Sequence, residues 1–444
     1  MYYKNQTFLV VGLQKSGYSA SKLLIEKGAT VYVYDSRKTE SVENNKQELI
    51  SLGAKDVINL DGIEDICNVL VLSPGVPIDS ELVVRFKKCK KRVLGELELG
   101  TMQFTTPIIA VTGTNGKTTV STVLHKALNE AGIKTELAGN VGVSVTSKIE
   151  DIKNADAVVL EVSSYQLEST YAFIPHVSVV LNLTPDHLDR HYTFENYALV
   201  KSKIVIPQKE SEFAVLNYDD ETVKTFAELS PANKVWFSCR EKVDGTYIEN
   251  GYVYFKEEKL FELNSGSLKN VYCVQNLLAI VAVLKIMGVE NEKILSSLDG
   301  FTGVSHRREE VCVKNGITFI NDSKSTNPAS AISAINSLEY PTVLILGGYD
   351  KGLDYTELFV AIKSSDKIKS VVVTGKSAFN MLSCAEKENV NVTYASDFTG
   401  AVTLAYKLAT SGDCVLLSPA TSSFDEFDDF EKRGERFSEI AKSI

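Results

Sequence analysis

Ile108-Ile109-Ala110-Val111-Thr112-Gly113-Thr114-Asn115-Gly116-Lys117-Thr118-Thr119 is the stretch whose reading decides the fold. Its apolar start reads as a buried strand, and after a glycine-bearing turn Val120 to Ala131 carries a helical pattern. Strand, tight loop and helix start together make the setting of a phosphate-binding loop. Gly113 and Gly116 let backbone N–H groups turn toward an anion, and the helix start adds partial positive charge. Lys117 is long enough to reach outer phosphates, and the Thr118 hydroxyl suits Mg²⁺. The loop is shorter than the common pattern, since Val111 stands where a further glycine would fall. An ordinary strand–turn–helix junction is the competing reading, and Gly-Lys-Thr at the junction speaks against it.

Outward from that loop, the 444 residues divide into three α/β segments: 1–94, 95–302 and 303–444. In the first, strand Thr7 to Val11, turn Gly12-Leu13-Gln14-Lys15-Ser16-Gly17, helix Tyr18 to Lys27 and strand Thr30 to Tyr34 form a Rossmann-like βαβ unit ending at Asp35. Gln14 replaces the middle glycine of a dinucleotide fingerprint, which weakens a nicotinamide-cofactor reading. A nucleotide-diphosphate ligand held by Lys15, Ser16, Ser36 and Arg37 fits better, beside the alternative of a unit with no ligand. A third strand, Val69 to Leu72, runs into the rigid Ser73-Pro74-Gly75-Val76-Pro77 loop at the ligand edge of such a sheet.

The middle segment opens with the acidic helical pattern Glu96-Leu97-Glu98-Leu99 and contains the phosphate loop. Beyond the polar turn at Asn140, strand Ala157 to Val162 carries one carboxylate, Glu161. A carboxylate in an apolar strand is costly to bury unless paired or metal-bound, so a Mg²⁺ role is the natural reading. Strand Val177 to Leu181 leads to Asn182-Leu183-Thr184-Pro185-Asp186-His187-Leu188-Asp189-Arg190-His191. The four-residue His spacing lacks the glutamate of a zinc-protease helix, so His187 reads as a Mg²⁺ or phosphate contact and His191 as a solvated neighbour. Lys201 and Lys203 lie on the helix from Phe194 to Ile204, where a lysine is ordinarily a solvated charge. Asn276, near the start of the helix Val274 to Met287, is available to an adenine edge or acts as a cap.

The last segment begins near Arg307 with a hairpin turning at Asn315-Gly316. Asn321-Asp322-Ser323-Lys324-Ser325-Thr326-Asn327-Pro328 then joins a strand end to a helix start. Strands ending near Gly347-Gly348, Thr374-Gly375 and Ser418-Pro419 continue a second doubly wound domain. Thr326, Lys351 and Ser423 fall on one edge, suited to an anionic small molecule.

Acidic residues outnumber basic ones 57 to 47, giving −10, which argues against nucleic acid or an anionic membrane as the main partner. Seven cysteines without a C-x-x-C pair point to a reducing compartment. There is no secretory signal pattern and no apolar run of the ~18 residues that span a bilayer, so a cytoplasmic protein is expected.

These motifs resemble the Mur ligase family, in particular its glutamate-adding members. The resemblance rests on Thr112 to Thr119, Leu160 to Glu168, Asn182 to Asp189, Asn321 to Asn327, and Ser418-Pro419-Ala420 through Phe430-Glu431-Lys432-Arg433-Gly434. It implies three domains: a Rossmann-like N-terminal UDP-sugar domain, a central P-loop ATPase-like domain and a Rossmann-like C-terminal amino-acid domain. It further implies ATP- and Mg²⁺-dependent joining of D-glutamate to UDP-N-acetylmuramoyl-L-alanine through an acyl phosphate, by a monomer. By the same resemblance Gly113, Thr114, Asn115, Gly116, Lys117, Thr118 and Thr119 hold ATP, with Asn276, Arg307, Asp322 and Lys324 as its outer clamp. Thr118, Glu161, His187 and a carbamylated Lys201 hold metal, Lys203 being the alternative lysine, and Lys117, Glu161, His187 and Lys201 are catalytic. Asn140 and Gln166 contact the muramoyl-alanine end, and Lys15, Ser16, Ser36, Arg37, Ser73, Pro74 and Gly75 the uridine diphosphate. Thr326, Lys351, Ser423, Phe424 and Phe430 form the D-glutamate pocket. The chain departs from the family at Gln14 and at Tyr272-Cys273, where a glycine and His-Asn are common. A folate-type sister ligase and a nucleotide-switched binding protein are the rival readings.

Overall fold

The structure is a computed structural model that describes residues 3–263, 274–298 and 306–444. Tyr272-Cys273 and the expected 302/303 boundary lie outside the described residues. The chain divides into two compact units, Met1–Phe301 and Thr302–Ile444.

The first unit contains two sheets. One is five-stranded and parallel: β1 (Thr7–Val11), β2 (Thr30–Tyr34), β3 (Lys55–Asp56), β4 (Val69–Leu72) and β5 (Arg92–Gly95), in the order β3-β2-β1-β4-β5. β1 and β4 are almost wholly buried apolar runs, as central parallel strands covered on both faces must be. The other sheet contains β6 (Ile108–Thr112), β7 (Thr135–Gly139), β8 (Ala157–Glu161), β9 (Val177–Val180), β10 (Phe213–Asn217), β11 (Asn233–Ser238), β12 (Gly245–Glu249), β13 (Tyr252–Phe255) and β14 (Glu258–Glu262). Its order is β14-β13-β12-β11-β10-β9-β6-β8-β7, parallel except where β12, β13 and β14 form an antiparallel meander. The Asn250-Gly251 turn of that meander has φ of 50° and 79°, the left-handed pair a tight hairpin needs.

β6 lies between β8 and β9, so the chain leaves it in one direction and later returns on the other side. Loops after β6, β8 and β9 therefore converge at one carboxyl edge, a topological switch point. The two sheets are joined by buried polar contacts. Glu96 and Glu98, on the helix Glu96–Thr101, are both buried. Glu96 accepts from Thr146 N and Oγ1 at 2.7 Å each, and Thr146 Oγ1 lies 2.8 Å from Ser19 Oγ on the helix Lys15–Glu26. Glu98 accepts from the Tyr171 and Ala172 N–H groups.

The second unit has one sheet: β15 (Glu309–Lys314), β16 (Ile317–Asn321), β17 (Thr342–Gly347), β18 (Ile368–Thr374), β19 (Val392–Tyr394) and β20 (Cys414–Leu417). Its order is β15-β16-β20-β17-β18-β19, with β15 alone antiparallel. β20 between β16 and β17 creates a second switch point. Cores on both faces of this sheet, around Phe359 and Met381 on one side and Phe319 and Phe437 on the other, fix its strands. Among the described residues no helix is long and apolar enough to cross a membrane.

Candidate active site

The loop after β6 is held in shape by its neighbours. Gly113 and Gly116 have φ of 150° and 88°; a Cβ at Gly116 would fall 2.6 Å from Asn276 Oδ1. Glycine is thus needed for conformation and for room, and Asn276 is packed against the loop. Asn182, from the loop after β9, accepts from Asn115 N at 2.8 Å through Oδ1, and its carbonyl accepts from Thr114 N at 2.8 Å. Thr114 Oγ1 contacts Tyr197 Oη and Thr184 O. Two loop N–H groups are therefore committed to Asn182, which leaves an anion cradle to Gly116, Lys117, Thr118 and Thr119. The first bond of the helix Lys117–Glu130 is Val120 N to Gly116 O, so the N–H groups before it are those an anion takes. Lys117 Nζ donates to Gly113 O at 2.9 Å and Thr114 O at 2.8 Å, which holds its charge over the loop.

Glu161 ends β8 directly beside Val111 of β6. It is 2% exposed; Oε1 accepts from Asn140 Nδ2 at 2.7 Å, while buried Oε2 has no hydrogen-bond partner. Lys201, on the helix Phe194–Ser202, is 1% exposed and donates to Thr112 Oγ1 at 3.1 Å and Gly113 O at 2.9 Å. Burial holds its amine well below the usual lysine range; Lys117 adds to this and Asp186 and Glu161 oppose it. Lys203, the alternative lysine, instead donates to Glu168 O at 2.8 Å, away from the loop.

His187 is left-handed, with φ 53°, and caps the short helix Leu188–His191. Its Nδ1 lies 3.0 Å from Tyr165 Oη. Gln166 sits in the helix Ser164–Glu168 and closes a capping box on Ser163. His191 corrects the sequence reading: it is buried, not solvated. The turn through His187 tucks its ring against Ser164 Oγ at 3.0 Å and Glu168 Oε1 at 3.4 Å, with Tyr197 alongside.

At the edge of the first sheet, Gly12 has φ 86°, and Ser73 Oγ donates to its carbonyl at 2.8 Å. Lys15, Ser36 and Arg37 are exposed, Ser16 and Pro74 half-buried, Gly75 exposed. Arg37 grips Asp35 by two bonds of 3.0 and 2.8 Å, and Leu13 N donates to the same carboxylate. Burial pushes the Asp35 carboxyl up, but Arg37 and that N–H outweigh it and hold it low. The Arg37 charge is thus neutralised in place, and what it offers a ligand is its remaining N–H groups.

In the second unit, Asp322 is 1% exposed and ties the loops after β16 and β20 together. Its Oδ2 accepts from Ser325 Oγ at 2.5 Å and Ser418 Oγ at 2.8 Å, whereas buried Oδ1 has no hydrogen-bond partner. Burial raises its carboxyl, with Arg307 the main opposing charge. Lys324 Nζ stands 4.8 Å from the Phe430 ring centre. Lys351 Nζ reaches Thr326 O at 3.4 Å, Ser423 is buried, and Phe424 is exposed beside Tyr349.

Sequence reasoning assigned no role to Arg433, whose buried guanidinium is the centre of this edge. It donates to Ser323 Oγ and O, Thr421 O and Ser422 O at 2.9–3.1 Å, pinning two loops. A signal existed: Arg433 lies four residues before buried Phe437, on the apolar face of the helix Phe430–Ser443.

The Mur ligase middle domain family matches residues 111–284, and the Mur ligase glutamate ligase domain matches 306–421. A UDP-N-acetylmuramoylalanine–D-glutamate ligase of Pelotomaculum thermopropionicum is 39% identical, covering 98% of this chain and 97% of its own. A protein of the same name from Clostridioides difficile is 38% identical over 99% of both chains. The structure of MurF from Acinetobacter baumannii shares the fold at a TM-score of 0.65, with 18% identity over 97% of this chain and 93% of that one. Full-length likeness at this identity settles the descent: the chain belongs to the Mur ligase family.

Proposed function

We propose that the chain is an ATP-dependent amide-forming ligase that joins D-glutamate to UDP-N-acetylmuramoyl-L-alanine, in peptidoglycan precursor synthesis in the cytoplasm. The observation that carries the chemistry is the meeting of Lys117, Glu161 and Lys201 around a glycine loop at a sheet switch point. The choice of substrates follows the relatives named above. In this reading 1–94 holds the sugar nucleotide, 95–302 the ATP and 303–444 the amino acid.

A carboxylate is a poor acyl donor. The alanyl carboxylate of the acceptor attacks the γ-phosphorus of ATP, ADP leaves, and an acyl phosphate forms. The D-glutamate amine then attacks that carbonyl, an amide forms, and phosphate departs with one former carboxylate oxygen. Both transition states concentrate negative charge, which Lys117 and the helix N-terminus at Thr118 and Thr119 oppose.

The residues fit Mg²⁺: Glu161 Oε2 is an orphaned buried acceptor, and the Thr118 hydroxyl lies in the first turn of the loop's helix. Among the described residues no three acidic, histidine or cysteine side chains gather into a cage, which suits an ion held largely by phosphates and water. Held by Glu161 and Thr118, Mg²⁺ would offset the negative charge of the nucleotide phosphates. Glu161 is oriented by Asn140 and His187 by Tyr165. Burial loosens the hold of the Lys201 amine on its proton, which favours the neutral form that adds CO₂, and carbamylation would turn it into a further carboxylate ligand. Asn276 borders the nucleotide loop. Arg307, Asp322 and Lys324 contribute to nucleotide binding, and Thr326, Lys351, Ser423, Phe424 and Phe430 recognise the amino acid. Phosphate release with the UDP-sugar acceptor across a panel of amino acids tests this. D-glutamate alone should support it, and release with a folate acceptor instead would transfer the chain to the sister ligases.

A further inference from the structure

The segment 187–192 is strained at both ends: His187 has φ 53° and Tyr192 has φ 68° with ψ −45°. Such conformations persist only where the surroundings over-determine them, and here two sets of contacts do so. Toward β8, Tyr165 Oη holds His187 Nδ1 at 3.0 Å, with the rings 4.9 Å apart. Toward the first sheet, Arg190 Nη2 donates to Val76 O at 2.8 Å, and Tyr192 Oη to Asp79 Oδ2 at 2.6 Å. Arg190 is locked by Glu168, Nη2 to Oε2 at 2.6 Å and Nε to Oε1 at 3.1 Å, and its guanidinium lies 5.2 Å from the Tyr165 ring centre. One rigid unit therefore touches the Ser73–Pro77 loop at one end and the His187 ring at the other.

We infer that Tyr165 is a positioning residue that fixes the His187 imidazole, and that Arg190 couples this setting to the loop 73–79 that holds the acceptor nucleotide. This rests on the ligase reading for what the loop binds, and on geometry alone for the coupling. Nδ1 faces Tyr165 and Nε2 faces Asp186 Oδ2 at 3.7 Å, so the two ring nitrogens have different surroundings and the ring orientation is set. Partners of this kind, one step behind a ligand, commonly contribute 10–100-fold to activity.

The chain has only five histidines, so long-range ¹H–¹⁵N spectra of histidine-labelled protein resolve the His187 ring nitrogens. Tyr165→Phe removes one oxygen and keeps the ring, so it folds. It should change the His187 nitrogen pattern from one tautomer to an average and lower kcat about 10-fold, with the acceptor KM within twofold. Arg190→Lys keeps a cation but loses the fork; it should raise the acceptor KM about 10-fold and also move the His187 signals. Unchanged His187 signals in Tyr165→Phe overturn the positioning role, and unchanged signals in Arg190→Lys overturn the coupling. The spectra need no substrate. A wild-type protein with the expected spectral shifts but no ligation would sink the ligase reading and leave the coupling standing.

Discussion

Replacing Lys201 by methionine should make the protein more stable while stopping turnover. The Lys201 ammonium is 1% exposed and bonds only neutral oxygens, Thr112 Oγ1 and Gly113 O; among the described residues no carboxylate pairs with it within 4.0 Å. Losing a hydrogen bond to a charged group ordinarily costs about 1.5–3 kcal/mol, chiefly because a buried partner is stranded. Here neither partner is: Thr112 Oγ1 still donates to Val162 O at 2.8 Å, and Gly113 O still accepts from Lys117 Nζ at 2.9 Å. Removing the charge recovers a desolvation penalty of several kcal/mol, and methionine matches lysine in volume and helix propensity. A net gain of about 1–2 kcal/mol is expected, a rise of roughly 2–4 °C in Tm for a unit this large. The folded pKa lies below the unfolded value, so between them the unfolded state binds more protons and wild-type stability rises with pH. Methionine has no such proton, so its advantage should shrink as pH climbs from the folded value toward the unfolded value of about 10.4. Calorimetry in bicarbonate-free buffer between pH 7 and 9.5 measures this. A variant less stable than wild type at pH 7, or an advantage that grows with pH, would refute the reasoning.

Lys117→Ala should remove turnover while sugar-nucleotide affinity, by calorimetric titration, stays within twofold, because the Lys117 amine is held over the phosphate loop by Gly113 O and Thr114 O; equal loss of both would contradict the division of labour. Glu161→Gln keeps an oxygen for Asn140 but replaces the orphaned Oε2 with a donor, so Mg²⁺-dependent ADP formation should fall at least about 100-fold with little change in Tm. Arg433→Ala strands the Ser323 and Thr421 carbonyls, leaves Ser422 O with the Tyr349 N–H alone, and should cost about 2–5 kcal/mol in urea unfolding; a loss below 1 kcal/mol would show that other groups pin those loops.

The parallel architecture was legible because buried strands such as Val69–Leu72 are unbroken apolar runs between turn residues. Asn315-Gly316 marks one hairpin, and the same pair at Asn250-Gly251 turns the chain between β12 and β13. The phosphate loop was legible because its chemistry is local in sequence. Lys201 was not: a lysine on a helix looks solvated, and its burial depends on Thr112 and Gly113, 89 and 88 residues away. His191 misled for the same reason, since Ser164 and Glu168 are brought to it by tertiary folding. Arg433 and Asn182 likewise act through partners that only the assembled sheet edges supply.

Acceptor labelled with ¹⁸O in its alanyl carboxylate, incubated with ATP, Mg²⁺ and D-glutamate, tests the proposed chemistry most directly. One labelled oxygen per turnover should appear in the released phosphate, matched by ADP and by an amide product retaining the other. Unlabelled phosphate, or ADP formed at the same rate without acceptor, would contradict activation of the carboxylate at the loop 113–118.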